Sequence, residues 1–541
     1  MRPLLAAFAV VLTLAAAAAS GQQLPSASYG EAVFAVSGRG YGHGVGMSQY
    51  GAYGQALAGR TYEQILGHYY TGTEIGKAGR KEVRVLLAEG RRAVTLSSGA
   101  PYVAVDATGT TFKLPKGTLT LRPELELPSE ARGPVKAVAP VVVRPIKKAL
   151  LTLDGRAYRG KLELVAAGGY LRVVNIAALE SYLQGVVAGE VPFSWPAEVL
   201  KAQAVAARSY ALANLVKGKP FDLYPDVRSQ VYLGVAGERA STSRAVMETA
   251  GEVVLYGGKV ATTYYFSTSG GRTASAADVF GTNVPYLVSR PDPWDKASPY
   301  HRWGPVLLGA RTLQSKLGVD ERVIDLTATA TPSGRLRSLV VQTIEGPEPV
   351  SASLVRTALG LRSTWISVGV LRLDRPLPTA VTFGSTARLG GVVRGLGTPR
   401  LASSPDGTTW SGATEVTFDK TGVVIADVKP VRTTRYRLDA EGSSSPPVLV
   451  QVAPRVELAK PGLLEPTILR GTVRPKLVGA TVVVERRKGT VWVIVGDTAT
   501  KESGAYALEL DAVVPRGAYR ARLAPVSGFL EGTSPVVQVT G

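Results

Sequence analysis

The spacing of apolar residues changes along this chain, and each spacing favours a different kind of structure. Between residues 81 and 174 apolar and polar residues alternate, as in Val83-Arg84-Val85, which is typical of strands with one buried face. From about residue 175 the spacing becomes helical, with an apolar stripe between Leu179 and Val187. Beyond Pro376 short alternating stretches return, separated by Gly, Pro, Asp and Ser. The pattern predicts an α+β part followed by an all-β part.

A chain of 541 residues, 45% of them hydrophobic, is long enough for several domains with their own cores. We expect an α+β domain with a β-rich subdomain, followed by two all-β modules of immunoglobulin-like sandwich length. The first domain is predicted to span residues 29–368. Its predicted parts are a Gly- and Tyr-rich segment (29–76), a β-rich part (81–174) and a helical core with a hairpin (175–368). The predicted modules are residues 379–452 and residues 456–541.

Local signals place several helix ends. Thr61 is a candidate N-cap, and Gln64 three residues later completes a capping box. Asn175 is expected to cap the helix that carries the apolar stripe. That helix is expected to break at Gly189-Glu190-Val191, ahead of a proline, and Pro196 is expected to open the next helix.

The first twenty residues are typical of a cleaved secretory signal peptide. Arg2 precedes an apolar run from Leu4 to Ala16, and Ala17-Ala18-Ala19-Ser20 provides small residues for cleavage. The run is shorter than the roughly 20 residues that a membrane span needs. We therefore expect a protein that is secreted or resides in the cell envelope, without a membrane anchor after cleavage.

The chain has no cysteine, which excludes disulfides, cysteine nucleophiles and thiolate zinc sites. Its formal net charge of +20 favours polyanionic partners. Lys and Arg are scattered through every segment, so nucleic-acid binding gains little support. In an exported protein, the anionic polymers of a cell wall are the expected acidic partner.

Two stretches of the predicted helical core closely resemble the core signature of the SpoIID/LytB family. They are residues 179–192, Leu-Glu-Ser-Tyr-Leu-Gln-Gly-Val-Val-Ala-Gly-Glu-Val-Pro, and residues 201–210, Lys-Ala-Gln-Ala-Val-Ala-Ala-Arg-Ser-Tyr. This family comprises stage II sporulation protein D-like peptidoglycan enzymes and their amidase-enhancer relatives. Three further segments resemble the same family: Gly38–Ala52, Ser267–Thr273 and Leu361–Trp365. The resemblance covers most of residues 29–368.

Two departures from the family pattern stand out. In the sporulation proteins the His-Gly-Val-Gly-Met-Ser-Gln block lies at the carboxyl end of the domain, whereas here it occupies residues 43–49. The chain thus looks circularly permuted, and we expect the strand around Val33–Val36 to lie where the continuation of Trp365–Val368 would otherwise run. Some members also carry a Cys/His segment that can bind zinc. The matching residues 226–234 contain neither residue type, so no metal is expected there.

The resemblance implies lytic transglycosylation of peptidoglycan glycan strands, without a cofactor. Cleavage of the MurNAc–GlcNAc bond then leaves a 1,6-anhydro sugar and needs one carboxyl group, whereas ordinary glycosidases use two. Glu190 matches the family's catalytic Glu. Because apolar neighbours at Val191, Phe193 and Trp195 would desolvate it, we expect a raised pKa that favours the protonated acid.

The other motifs supply candidate substrate-binding residues. Arg208 matches a family position and either contacts the sugar or forms a structural ion pair with Glu180 or Glu198. The remaining candidates lie in the two glycine-containing motifs and offer small side chains, hydroxyls, an amide and an imidazole. They are His43, Ser48, Gln49, Ser267, Ser269, Gly270 and Gly271.

Two other functions stay open at this point. The chain could be a non-catalytic peptidoglycan binder that stimulates a separate cell-wall amidase. It could also be a hydrolase that pairs Glu190 with Asp222, Asp226 or Asp278. The all-β modules are either wall-binding modules or spacers, and the sequence does not separate these roles.

Overall fold

A computed structural model describes residues 29–129, 133–146 and 149–540 of the protein. The predicted signal peptide lies outside the described residues. Strands make up most of the regular structure in these ranges. No helix within them combines the length and the apolar character that crossing a membrane would require.

The amino-terminal stretch contains one long strand, a glycine-rich loop and two short helices. Its elements are β1 (Ala32–Arg39), β2 (Met47–Ser48), α1 (Gln49–Leu57), α2 (Tyr62–Tyr69) and β3 (Glu74–Lys77). The predicted capping box at the start of α2 is confirmed, because the Thr61 side chain accepts from the Gln64 amide and the Gln64 side chain accepts from the Thr61 amide. The sequence predicts this contact because Thr61 and Gln64 are three residues apart, which is the spacing of a capping box.

The predicted β-rich part consists of strands that pack around one hydrophobic core. A six-stranded sheet has the order β4-β15-β14-β11-β6-β7, and a four-stranded sheet has the order β13-β12-β5-β8. The strands are β4 (Glu82–Arg91), β5 (Val94–Ser98), β6 (Tyr102–Val105), β7 (Thr111–Leu114), β8 (Gly117–Leu121), β9 (Glu126–Leu127), β10 (Val135–Lys136), β11 (Val141–Pro145), β12 (Leu151–Leu153), β13 (Arg156–Tyr158), β14 (Lys161–Ala167) and β15 (Tyr170–Ala178).

The helical core follows directly. Its elements are α3 (Leu179–Glu190), α4 (Ala197–Ala213), α5 (Ala240–Glu248), β16 (Glu252–Tyr256), β17 (Lys259–Val260), β18 (Tyr265–Phe266) and α6 (Ala276–Phe280). The predicted apolar stripe of α3 is buried against the β-rich part, since its residues belong to the same core cluster. Strand β18 pairs in parallel with β2, which joins the helical core to the amino-terminal stretch.

Asn175 does not cap α3, contrary to the prediction. Strand β15 continues to Ala178, and the helix begins without a side-chain cap. The buried Asn175 amide instead donates to the carbonyl oxygens of Arg159 and Lys161, both at 3.0 Å, and accepts from the Tyr232 hydroxyl at 2.9 Å. These long-range partners satisfy its polar groups, so it is a sheet-core residue.

The last part of the predicted first domain returns to strands. Its elements are β19 (Arg302–Gly309), α7 (Ala310–Leu317), β20 (Val323–Ala330), β21 (Leu336–Thr343), β22 (Pro347–Ser351), α8 (Ala352–Ala358) and β23 (Ile366–Leu373). Strand β1 lies between β19 and β23 and pairs antiparallel with both. Val36 faces Val368 across the β1–β23 pair. Residues 366–373 continue as β23 itself, with β1 beside them, and the circular permutation stays a prediction.

The remaining strands form two further β-rich regions. They are β24 (Ala380–Thr382), β25 (Ala387–Arg394), β26 (Arg400–Ser404), β27 (Ser411–Glu415), β28 (Val423–Val428), β29 (Thr434–Ala440), β30 (Ser443–Ser444), β31 (Val448–Ala453), β32 (Arg455–Leu458), β33 (Ile468–Arg474), β34 (Thr481–Lys488), β35 (Val491–Ala499), β36 (Ala505–Glu509), β37 (Gly517–Leu523), β38 (Gly532–Thr533) and β39 (Val537–Val539). In each region two sheets pack on a shared core.

The first of these regions shares a sheet with the part that precedes it. Strands β25 and β28 extend the sheet of β19, β1 and β23 to the order β19-β1-β23-β25-β28. Leu371 and Leu373 of β23 belong to the core of this region. Strand pairing therefore continues past the predicted end of the first domain at residue 368. The predicted domain limits and the immunoglobulin-like topology remain predictions.

Candidate functional site

Glu190 is the last residue of α3, where the predicted helix break is found. Val191 takes up an extended conformation, with φ of −133° and ψ of 151°, and is 3% exposed. The chain from residue 226 to 233 packs along the end of α3, and its Leu233 amide donates to the Gly185 carbonyl at 3.0 Å. The helix end is thus covered on one side by an irregular segment.

The carboxyl of Glu190 is partly buried, and burial raises its pKa above the ordinary value. Hydrogen bonds from the Tyr265 hydroxyl and from the Val231 amide act in the opposite direction, because they favour the carboxylate. Of the apolar neighbours expected from the sequence, Val191 is buried, whereas Phe193 is 52% exposed. Burial outweighs the two hydrogen bonds, so the protonated acid is favoured relative to a solvated glutamate.

Tyr265 is in turn held by a buried glutamine. The Gln230 Nε2 donates to the Tyr265 hydroxyl at 2.9 Å and to the Ala207 carbonyl at 3.2 Å. The Gln230 Oε1 accepts from the Tyr182 hydroxyl at 3.1 Å. The sequence predicted no function for these residues: Gln230 lies in the segment considered for zinc ligands, and Tyr265 lies outside the motifs that resemble the family. No local pattern marks them, since their partners are far apart along the chain.

Gln49 and Ser48 connect the glycine-rich loop to this helix end. The Gln49 Nε2 donates to the backbone carbonyl of Glu190 at 3.2 Å. Ser48 is fully buried, and its hydroxyl caps α1 by accepting from the Gly51 amide at 3.1 Å. It also accepts from the Ser269 amide at 3.2 Å. Ser48 thus caps α1 and joins the glycine-rich loop to the loop of residues 267–271. Because it has no exposed surface, a substrate cannot contact it directly.

His43 is oriented by hydrogen bonds at both ring nitrogens. Its Nδ1 accepts from the Val45 amide at 3.1 Å, which leaves the proton on Nε2 to be donated to the Tyr265 carbonyl at 3.1 Å. Burial lowers the pKa of His43 to about 4, and the positive charges of Arg335 and Arg356 act in the same direction. His43 is therefore neutral at physiological pH and braces the backbone of Tyr265.

Arg208 has the contacts of a structural ion pair, one of the two roles that the sequence left open. Its guanidinium is fully buried and forms two hydrogen bonds with the Glu180 carboxylate, at 3.1 and 2.5 Å. Its remaining donors reach the carbonyl oxygens of Glu252 at 2.9 Å and Val246 at 3.1 Å. It joins α3, α4, α5 and β16, and it is not among the groups that shift the pKa of Glu190.

The loop of residues 267–271 is largely an interior element. Ser269 and Gly270 are buried, while Ser267 and Gly271 are partly exposed. Gly270 has a φ of 77°, and a Cβ there would lie 2.6 Å from the Cβ of Arg39, so only glycine fits. Ser267 and Gly271 are the members of this loop that a ligand can reach directly.

Two buried aspartates, Asp292 and Asp295, form hydrogen bonds with this loop. The Gly270 amide donates to Asp295 at 2.5 Å, and the Tyr69 hydroxyl donates to Asp292 at 3.0 Å. Burial raises the pKa of Asp292 to about 7, and the negative charge of Asp295 adds to this effect. Hydrogen bonds from the Ser269 and Ser48 hydroxyls lower it in part. This pair of aspartates was not predicted from the sequence.

The aspartates considered as second carboxylates are engaged elsewhere. Asp222 binds Arg80 and the Arg84 amide, and Asp226 binds Arg228. Asp278 accepts from Ser333. No carboxylate is among the groups that shift the pKa of Glu190 in the described ranges. In the same ranges no group of three or more His, Cys, Asp or Glu is placed to hold a metal ion.

A comparison with protein families matches residues 167–256 to SpoIID, described as Stage II sporulation protein. This segment of the chain is therefore similar to the SpoIID family. The matched segment contains Glu190 and Arg208. It ends before Tyr265 and the 267–271 loop, and it excludes the glycine-rich loop around His43.

Three curated relatives are similar to parts of this chain. An uncharacterized protein of Brachyspira hyodysenteriae is 42% identical over 139 residues, which is 25% of this chain and 38% of that protein. The Amidase enhancer of Bacillus subtilis is 35% identical over 219 residues, 38% of this chain and 29% of that protein. Stage II sporulation protein D of Bacillus subtilis is 31% identical over 207 residues, 34% of this chain and 58% of that protein. The chain thus spans less than two thirds of these relatives.

Solved structures match at low similarity. A two fibronectin type III domain segment of chicken tenascin is 15% identical and covers 31% of this chain and 94% of its own, with a TM-score of 0.20. The human OSCAR ligand-binding domain is 14% identical and covers 30% of this chain and 93% of its own, with a TM-score of 0.14. Scores this low support no inference about this chain.

Replacement of Arg208 tests its structural role. Arg208→Met is expected to lower the free energy of unfolding by about 3–5 kcal/mol, because it leaves the Glu180 carboxylate without its buried partner. Denaturant unfolding followed by intrinsic fluorescence measures this change. Arg228→Met is the matched control, since it removes an exposed arginine paired with Asp226 and should leave stability nearly unchanged. Equal stability of the two variants would contradict the structural role.

The Asp292 carboxyl predicts a pH dependence of stability. Its pKa is about 7 in the fold against 3.8 for the ordinary group, so the folded state retains a proton that the unfolded chain loses. Stability should therefore fall between about pH 4 and pH 7, by up to about 1.4 kcal/mol per pH unit from this group. Unfolding of Asp292→Asn should lack this slope, whereas the exposed-site control Asp226→Asn should keep it. An unchanged slope in Asp292→Asn would refute the assignment.

Proposed function

We propose that this chain is a secreted peptidoglycan lytic transglycosylase that cleaves the MurNAc–GlcNAc bond with Glu190 as its single acid and base. The observation that carries the proposal is a desolvated carboxyl at the end of α3, with a raised pKa and no second carboxylate acting on it. Glycosidases of the two-carboxylate kind place the pair about 5–9.5 Å apart across the scissile bond. A site with one such group favours the route in which the same residue acts twice.

The proposed reaction proceeds in two proton transfers. Protonated Glu190 donates its proton to the glycosidic oxygen as the bond to the MurNAc anomeric carbon breaks and positive charge develops on the sugar. The resulting Glu190 carboxylate then takes the proton of the muramoyl 6-hydroxyl as that oxygen attacks the anomeric carbon. The products are a 1,6-anhydromuramoyl end and a free GlcNAc 4-hydroxyl, and no water is consumed. Glu190 ends protonated, ready for another cycle.

We further propose two groups of supporting residues. Ser267 and Gly271 contact the glycan, because they are the partly exposed members of their loop. The other candidates act indirectly by holding the segments around Glu190 in place, and their contacts with other protein groups support this role. These positioning residues are His43, Ser48, Gln49, Arg208, Ser269 and Gly270.

The two β-rich regions beyond residue 379 are proposed to hold the enzyme at the wall. The net charge of +20 suits anionic wall polymers, and the predicted signal peptide would deliver the chain to the envelope. No cofactor is required by the proposed reaction. Peptidoglycan glycan strands are the proposed partner of the catalytic region.

A second candidate function is favoured by one relative. The protein named Amidase enhancer is 35% identical to this chain over 219 residues. On that analogy the chain would bind peptidoglycan and stimulate a separate cell-wall amidase without cutting glycan itself. Glu190 would then be a binding residue, and the purified chain would release no soluble fragments on its own.

Digestion of purified sacculi with the full chain distinguishes these functions. Mass spectrometry should find anhydromuropeptides, and Glu190→Gln should lower their rate of release by about 100-fold or more, because an amide cannot supply the proton. Glu89→Gln, which changes an exposed glutamate of β4, is the control and should release them normally.

Three results would overturn the proposal. Normal release by Glu190→Gln would remove Glu190 from the reaction. Products with an added water mass and a reducing end would identify a hydrolase. Binding of sacculi by the unaltered chain with no soluble product, together with stimulation of an added amidase, would support the enhancer function.

A further inference from the structure

His301 is held by a buried aspartate at the edge of the 267–271 loop. Its Nδ1 lies 2.8 Å from Oδ1 of Asp295, whose side chain is fully buried. The other carboxylate oxygen of Asp295 accepts from the Gly270 amide. The His301 amide donates to the Ser298 carbonyl at 3.1 Å, and the Ser298 amide donates to the Asp295 carbonyl at 2.9 Å. The ring and the backbone of His301 are therefore both fixed relative to one aspartate.

The contact with Asp295 determines which ring nitrogen of His301 is free. A carboxylate only accepts, so the proton of the neutral imidazole lies on Nδ1, and Nε2 carries the lone pair. Within the described ranges Nε2 has no hydrogen-bond partner, and the side chain is 21% exposed. This tautomer is the opposite of the one in His43, whose Nδ1 accepts from the Val45 amide. His301 thus presents a free acceptor at the surface.

The His301 ring lies beside the exposed part of the loop. A Cβ built on Gly271 would lie 3.7 Å from Cε1 of His301, the carbon that joins the two ring nitrogens. The Thr268 hydroxyl lies 2.7 Å from the hydroxyl of Ser298 and 3.3 Å from that of Ser267. The free nitrogen therefore belongs to a segment that is bonded to the loop, next to the loop members that a ligand can reach.

Residues 48 and 49 connect the same loop to Glu190. The Ser48 hydroxyl accepts from the Ser269 amide at 3.2 Å. The Gln49 Nε2 donates to the Glu190 carbonyl at 3.2 Å. The loop beside His301 and the helix end that carries Glu190 are thus attached to adjacent residues of the chain.

An exposed aromatic ring lies next to the loop as well. Tyr41 is 41% exposed, and its backbone exchanges hydrogen bonds with Thr268 at 2.8 and 3.0 Å. Its ring meets the ring of Tyr300, the residue before His301, edge-on at a centroid distance of 5.3 Å. Tyr41 also lines a cavity of about 260 Å³ together with Trp303. Aromatic surface with a few fixed polar groups is the usual composition of a small-molecule site.

We propose that His301 and Tyr41 form a glycan subsite at the 267–271 loop. Nε2 of His301 accepts a hydrogen bond from a hydroxyl or an acetamido N–H of an N-acetylated sugar, and the Tyr41 ring packs against the apolar face of that sugar. Asp295 is a positioning residue, because it acts through the tautomer of His301. The subsite rests on the proposed peptidoglycan substrate, but it requires no proton transfer by Glu190.

The tautomer of His301 is the first test. The chain has three histidines, so the NMR signals of His301 and His68 are assigned by their loss in His301→Phe and His68→Phe, and the remaining signal is that of His43. Long-range ¹H–¹⁵N correlation at pH 8, where histidine is ordinarily neutral, should place the His301 proton on Nδ1 and the His43 proton on Nε2. A His301 proton on Nε2 would overturn the proposal, because the free acceptor would not exist.

Binding of a GlcNAc–MurNAc tetrasaccharide is the second test. The parent protein is the full chain with Glu190→Gln, which prevents cleavage during calorimetric titration. Adding His301→Phe should weaken binding by about 5- to 10-fold, because one hydrogen bond to the sugar is lost. Adding Tyr41→Ala should weaken it as well, because the packed ring is lost. In the parent, the tetrasaccharide should shift the Cε1–H signal of His301.

His68→Phe is the matched control. The Nε2 of His68 donates to the Pro291 carbonyl at 3.0 Å, in the segment that leads to Asp295, so this nitrogen is already occupied. The variant should bind the tetrasaccharide as the parent does. Equal weakening in His68→Phe would overturn the subsite, because the effect would then come from a disturbed segment.

Three other results would also overturn the subsite. They are an unchanged affinity in folded His301→Phe, a His301 signal that stays in place when the tetrasaccharide binds, and an absence of binding by the parent. Failure of the proposed function is a separate result. In that case Glu190→Gln would release anhydromuropeptides from sacculi at the normal rate, while the loss of affinity in His301→Phe persisted.

Discussion

Antiparallel pairing of β1 with β23 joins segments more than 300 residues apart in sequence. The same strand places the glycine-rich loop that follows it against the helical core. At its far end the Arg39 amide donates to the Trp365 carbonyl, and the Ser363 hydroxyl donates to the Arg39 carbonyl at 2.5 Å. Hydrogen bonds from His43 to the Tyr265 carbonyl and from Gln49 to the Glu190 carbonyl then join this loop to the candidate site. The candidate site therefore depends on a long-range sheet contact as much as on its own residues.

Arg208 and Glu190 are both removed from solvent, but their surroundings differ. Arg208 is fully buried, but each nitrogen of its guanidinium donates to Glu180 or to a backbone carbonyl. Such a paired cation fixes the packing of the helices around it. Glu190 is the contrasting case, since it is desolvated and receives only neutral donors. A carboxyl in that setting keeps its proton more readily than a solvated one, which is the property that a general acid needs.

The sequence was sufficient where the determining contacts are local. Alternation predicted strands between residues 81 and 174, three-residue spacing predicted the Thr61 capping box, and a proline after Glu190 predicted the helix end. The family motif also singled out Glu190 and Arg208, and the matched family segment contains both.

The sequence was insufficient where polar groups are satisfied across the fold. Asn175 looked like a helix cap but is bonded within the sheet, and Arg208 could not be placed before its partner was known. The same limit hid Gln230, whose partners Tyr182 and Tyr265 lie 48 and 35 residues away. Which buried polar groups face each other is a property of the packed structure, and no periodicity in the chain encodes it.

Comparison of the unfolding free energies of the unaltered chain and Glu190→Gln between pH 4 and pH 8 tests directly whether Glu190 is a desolvated acid. A folded-state pKa above the ordinary 4.5 means that the fold favours the protonated form, so its stabilising contribution is present at low pH and is lost as pH rises through the folded pKa. The unaltered chain should therefore become progressively less stable relative to Glu190→Gln as the pH rises. A stability difference that stays constant across this range would show a carboxyl with an ordinary pKa and would contradict the central claim.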